Sequence, residues 1–137
     1  MAKILVVDDE ADLEILIKQK FRRQIRENQY QFVFAVNGHD ALDKLQNHAD
    51  IDLVLSDINM PGMDGWAMQK RILDSGSKRP VIFISAEKEE NASDRALKVG
   101  AVGFLQKPVN GQALVDLVNA FSEKTGCPRK QQGLSYY

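Results

Sequence analysis

Five short apolar runs, each followed by a stretch with a helical period, limit what this chain can fold into more than any other feature. Lys3–Val7 (KILVV), Gln31–Val36 (QFVFAV), Asp52–Asp57 (DLVLSD), the VIFIS segment after Pro80 and Gly103–Gln106 (GFLQ) are rich in β-branched and aromatic residues and read as strands. Between them the spacing changes. Leu13, Leu16, Ile17, Phe21 and Ile25 recur at helical intervals, predicting one helix from a cap at Asp12 to about Asn28. Ala41, Leu42 and Leu45 mark a second helix after the Asn37-Gly38 turn, and Trp66, Met68, Ile72 and Leu73 a third over Gly65–Ser75. Asn91–Val99, stopped by Gly100, gives a fourth, and Leu114, Leu117, Val118 and Phe121 stripe a fifth.

The first, third and fourth strands are apolar almost throughout, as in a parallel sheet covered on both faces. Right-handed crossovers then distribute the helices over both sides. The expected fold is α/β: a five-stranded parallel sheet in the order 2-1-3-4-5, doubly wound by five helices in the flavodoxin-like manner. At 137 residues the chain suits one domain, which buries roughly two thirds of its unfolded surface. Residues 1–124 carry the pattern. Residues 125–137 (TGCPRKQQGLSYY) have no amphipathic stripe and read as a tail or linker stub.

A net charge of −1 creates no basic field for nucleic acid. Cys127, the single cysteine, forms no internal disulfide, and no apolar run approaches the ~18 residues of a membrane span. No signal peptide is legible before Lys3, so the expected location is cytoplasmic, without membrane attachment.

In a parallel sheet the C-terminal strand ends share one edge, where ligands bind. Asp8 and Asp9 end the first strand, Asp57 the third, Ser85 the fourth and Lys107 the fifth. Three adjacent carboxylates repel one another, and a carboxyl protonates unless a cation intervenes. Mg²⁺, a hard ion that takes oxygen ligands and pairs with phosphate, suits Asp8, Asp9 and Asp57, with the Asn59 backbone carbonyl as a further ligand. Mg²⁺ and Lys107 together bring the local charge to zero. Asp57 is then placed as a carboxylate nucleophile toward phosphorus, with Lys107 and the Ser85 hydroxyl for the phosphoryl oxygens.

With these pieces in view the sequence resembles the receiver domain of two-component response regulators. The matching segments, in order, are ILVVDDE (Ile4–Glu10), NGHDAL (Asn37–Leu42), DLVLSDINMPGMDG (Asp52–Gly65), PVIFISA (Pro80–Ala86) and GAVGFLQKPV (Gly100–Val109). The resemblance implies that Asp57 is the phosphorylated aspartate, Asp9 the direct metal ligand, Asp8 a ligand acting largely through water, and Lys107 the partner of Asp57 or its phosphate. It implies a switch pair in Ser85 and Phe104, and a cis Lys107-Pro108 bond. Asn59 and Glu87 occupy the positions that tune dephosphorylation, and this polar pair implies a phosphorylated state lasting seconds to minutes.

The implied function is a signalling switch rather than an enzyme with an external substrate. Its phosphoryl donor is a histidine kinase or phosphotransfer protein. Its output is a reshaped face made by the fourth helix, fifth strand and fifth helix. That face serves a downstream domain or protein, and it is also where a homodimer would form. Two other readings stand beside it. A haloacid-dehalogenase-type phosphatase also uses an aspartyl nucleophile, but generally with an aspartate two residues on, where this chain has Asn59. A pseudo-receiver interaction module would not need the complete acidic set. Elsewhere bland readings prevail. His39 and His48 have no zinc spacing, Met60 and Met63 suit gap filling, and Trp66 suits covering the start of its helix. The basic series Lys18, Lys20, Arg22, Arg23 and Arg26 reads as a solvated face, with kinase docking as the alternative.

Overall fold

A computed structural model describes residues 2–77, 79–85 and 92–122. Its strands are β1 (Ala2–Val7), β2 (Tyr30–Ala35), β3 (Leu53–Asp57), β4 (Val81–Ser85) and β5 (Gly103–Gln106). They form one parallel sheet in the order β2-β1-β3-β4-β5. The helices are α1 (Asp12–Lys20), α2 (Arg22–Arg26), α3 (Gly38–Asn47), α4 (Gly65–Asp74), α5 (Ala92–Lys98) and α6 (Gly111–Ser122).

The strand alternation divides the core into two layers. Leu5, Val7, Val54, Val81 and Phe83 point toward α3, α4 and α5, where Ala41, Leu45, Met68, Ile72 and Ala96 meet them. Ile4, Val6, Leu53, Leu55, Ile82 and Ile84 point the other way, onto Leu13, Ile17, Leu114, Leu117 and Val118 of α1 and α6. Fully burying one such aliphatic side chain contributes roughly 1.5–3 kcal/mol. Two-sided covering therefore explains why the inner strands are apolar over Ile4–Val7, Leu53–Leu55 and Val81–Ile84.

The single first helix expected from the sequence is two, so the described residues form six helices rather than five. Phe21 stands between α1 and α2 with φ −110° and ψ 20°. Hydrogen bonds still span the break, from the Phe21 amide to Ile17 O and from the Ile25 amide to Phe21 O, both 2.9 Å. The Phe21 ring is fully buried, 5.5 Å from the Tyr30 ring and 5.3 Å from that of Phe32. The bend coincides with this packing, which helical spacing alone does not report. The expected cap at Asp12 is also corrected. Ala11 holds the cap position without a side-chain bond, and Asp12 is the first helical residue. Side-chain caps occur instead at Asn37, which accepts from the Asp40 amide at 2.8 Å, and at Asp64, which accepts from that of Ala67 at 2.8 Å. The turn after α5 contains Gly100 at φ 87°, a conformation that glycine adopts without strain.

Candidate functional site

β1, β3, β4 and β5 deliver their polar termini to one sheet edge. Strand register sets the depth: Val7 lies beside Ser56, Asp57 beside Ile84, and Ser85 beside Gln106. Asp57 is the last residue of β3, while Asp8 and Lys107 directly follow β1 and β5. The Lys107 amide donates to Ser85 O at 2.8 Å, and the Lys107-Pro108 peptide is cis, as the resemblance implies.

Lys107 reaches across β4 to the acidic cluster. Its Nζ donates to Asp57 Oδ2 at 3.0 Å and lies 3.6 Å from Asp8 Oδ2. The other oxygens of the two buried aspartates bond to main chain. Asp57 Oδ1 accepts from the Asn59 amide at 3.2 Å, and Asp8 Oδ1 from the Glu10 amide at 3.0 Å. Asp9 is exposed, yet one carboxylate oxygen each from Asp8, Asp9 and Asp57 fall within 4.8 Å of one another.

The electrostatics of this cluster are unresolved by its own residues. Burial pushes the Asp8 carboxyl above its ordinary value of 3.8. The Glu10 amide and the Lys107 charge oppose that rise, and the charges of Asp57 and Asp9 add to it. Burial acts to lower the Lys107 ammonium. Its hydrogen bond to Asp57, with the charges of Asp57, Asp8 and Glu10, outweighs burial and holds it above 10.5. Asp8 Oδ2 is buried and accepts no hydrogen bond from the described residues. A hard cation fits such a place. Three convergent carboxylates, one with an unsatisfied buried oxygen, match the all-oxygen chemistry of Mg²⁺.

Ser85 is buried and ends β4. Phe104, half-buried, pairs in register with Phe83 and packs against the core layer toward α3, α4 and α5. Asn59 is exposed at the mouth of the site, and Glu87 lies outside the described residues. Sequence reasoning passed over two contributors. Glu10, part of the acidic run after β1, adds negative potential at Lys107. Gly65 opens α4 so close to β3 that a Cβ there would lie 2.8 Å from Asp57 O and 2.9 Å from Ile58 Cα. The steric demand on that glycine is invisible in spacing, because it arises from chain folding back eight residues later.

Comparison with known proteins identifies the family. Residues 4–119 match the family model described as the response regulator receiver domain. Sensor histidine kinase RcsC of Salmonella typhi is 36% identical over 121 residues, covering 88% of this chain and 12% of that protein. The chain thus spans about an eighth of the length of the curated relatives it matches. Among solved structures, the Francisella response regulator 1452 receiver domain superposes with a TM-score of 0.78 at 31% identity, covering 92% of this chain and 100% of that one. The CheX-CheY-BeF3-Mg²⁺ complex from Borrelia burgdorferi gives 0.76 at 29%, covering 89% and 90%. The chain belongs to the response regulator receiver domain family of two-component signalling. Among the described residues, no helix is long and apolar enough to cross a membrane.

Proposed function

We propose that this receiver is a phosphorylation-dependent switch in which Asp57 accepts a phosphoryl group from a histidine kinase or phosphotransfer protein. The observation that carries the reading is Lys107 Nζ, 3.0 Å from Asp57 Oδ2, beside the converging oxygens of Asp8, Asp9 and Asp57. A carboxylate oxygen of Asp57 supplies the electron pair for the new P–O bond as the P–N bond to the donor imidazole breaks. The neutral imidazole departs after taking up a proton. Lys107 pairs with charge on the transferring group, and the Asn59 amide orients the Asp57 carboxylate for in-line approach. Asp8, Asp9, Asp57 and the Asn59 carbonyl would hold Mg²⁺, which when bound neutralises carboxylate and phosphoryl charge. The relatives support this reading: RcsC is a sensor histidine kinase, and the Borrelia CheY was solved in a complex with CheX, BeF3 and Mg²⁺.

The group added to Asp57 carries about −1.5 to −2 charge and three acceptor oxygens. Ser85 turns toward it, Phe104 rotates into the vacated space, and the face of α5, β5 and α6 changes shape for an output partner or second copy. Asn59 and Glu87 orient hydrolytic water and keep the state short-lived. The protein acts in the cytoplasm, and its catalysis is confined to its own phosphorylation and dephosphorylation.

Intact-mass measurement after treatment with acetyl phosphate and Mg²⁺ tests the reading. One added phosphoryl group, absent in Asp57→Asn and in EDTA, is expected. An unmodified wild-type chain would leave a pseudo-receiver, and turnover of external phosphoesters would leave a phosphatase.

A further inference from the structure

Along the edge strand β2, walled by α1 and α2, runs a groove of about 670 Å³ that shares no residue with the acidic crevice. Its floor is aromatic. Tyr30, Phe32 and Phe34 project from one face of β2 and are only half-buried. Their register partners on β1, Ile4 beside Phe32 and Val6 beside Phe34, are no more than 1% exposed. Helical cover therefore runs out over the edge strand, leaving aromatic surface within reach of solvent. β2 (YQFVFA) also carries neither charge nor proline, the usual guards of an edge, and among the described residues it pairs only with β1.

The rim is cationic, and unevenly so. Lys18 lies 5.5 Å over the Phe34 ring and is matched by Glu14 at 2.7 Å. Arg23, which does not line the groove, is matched by Glu27 at 3.2 Å. Arg22 and Arg26 do line it, one turn apart on α2. Among the described residues no carboxylate lies within 4.0 Å of either. The basic series that reads from sequence as a uniform face is thus sorted by the structure. The neutralised arginine turns away from the groove, and the two uncompensated ones border it.

We propose that this groove docks an acidic peptide segment of a partner protein, with a large apolar side chain seated on Phe32 and Phe34 and flanking carboxylates on Arg22 and Arg26. Charge selects this occupant over two others. A second copy of the chain would set Arg22 and Arg26 against their own counterparts. The segment 125–137 carries Arg129 and Lys130 without an aspartate or glutamate, so it has the wrong sign. The unpaired edge of β2 adds main-chain donors and acceptors for an extended segment.

Fluorescence anisotropy of a labelled acetyl-DEDLFDED-amide peptide against the full chain tests the site. Saturable binding is expected, weakened at least tenfold for DEDSSDED and for the exposed double variant Arg22→Glu/Arg26→Glu. Amide shifts should concentrate in Gln31–Phe34. The milder Arg22→Gln/Arg26→Gln pair, checked by circular dichroism, serves if charge reversal perturbs folding. No saturable binding, equal binding of the serine peptide, or indifference to both double variants would overturn the proposal. So would preference for a single-stranded RNA of equal charge, which would make the groove a nucleic-acid site.

Discussion

Asp8 is held where an ionised carboxylate is least comfortable, and this has consequences for stability. Its pKa is raised chiefly by burial, so the folded chain binds a proton there more readily than the unfolded chain does. The penalty from Asp8 is therefore absent below its ordinary 3.8, grows as pH rises through the elevated folded value, and is constant above it. Asp8→Asn should stabilise the Mg²⁺-free protein at neutral pH by about 1 kcal/mol, the scale for removing a buried, incompletely paired charge. The same substitution should abolish stabilisation by added Mg²⁺. Urea denaturation with and without Mg²⁺ measures both, and a destabilised variant that still responds to Mg²⁺ would contradict the assignment. The acidic run itself was plain in the sequence. Which of its carboxylates is buried was not, because burial separates Asp8 from exposed Asp9 only after β1 has been placed between β2 and β3.

At the scale of elements, the junction between β3 and α4 fixes where Asp57 sits. The Gly65 amide donates to Ile58 O at 2.8 Å, folding the loop tightly back on the strand end. Any Cβ at Gly65 meets backbone, which cannot rotate aside. Gly65→Ala should cost about 1–3 kcal/mol, as over-packing commonly does. It should also slow phosphorylation of Asp57 more than the loss of folded protein explains. Comparing the phosphorylation rate per folded molecule with a denaturation curve distinguishes the two effects. Helix boundaries show the limit of periodicity at this scale. β5 fell where the sequence put it, and α4 ended one residue early. The first helix split at Phe21, whose spacing marks it as buried but does not say that its ring wedges against Tyr30 and Phe32 from a strand not yet formed.

For the molecule as a whole, the contact between α4 and α5 has a built-in optical probe. Trp66 on α4 lies 5.0 Å from the Phe83 ring of β4, and the Arg95 guanidinium of α5 stacks over its indole at 4.4 Å. Such a contact contributes roughly 0.5–1 kcal/mol at an exposed site. If phosphorylation shifts α5, this stack changes, and Trp66 emission should change with it on adding acetyl phosphate and Mg²⁺. Arg95→Ala should alter emission beforehand and remove at least half of the phosphorylation-dependent change. An identical response in the variant would mean that α5 does not move relative to α4.

The sequence by itself determined the alternation of strands and helices, the two-sided burial of the inner strands and the acidic, basic and hydroxyl residues at their ends. All of these are local, written in period and residue type. Only the tertiary structure decided that Asp8 is buried while Asp9 stays exposed, that Gly65 must remain without a side chain, and that the basic helix splits into neutralised and uncompensated arginines. Those facts depend on contacts between segments distant along the chain, and on which groups lose water when the layers close. Neither is encoded in any single stretch of residues.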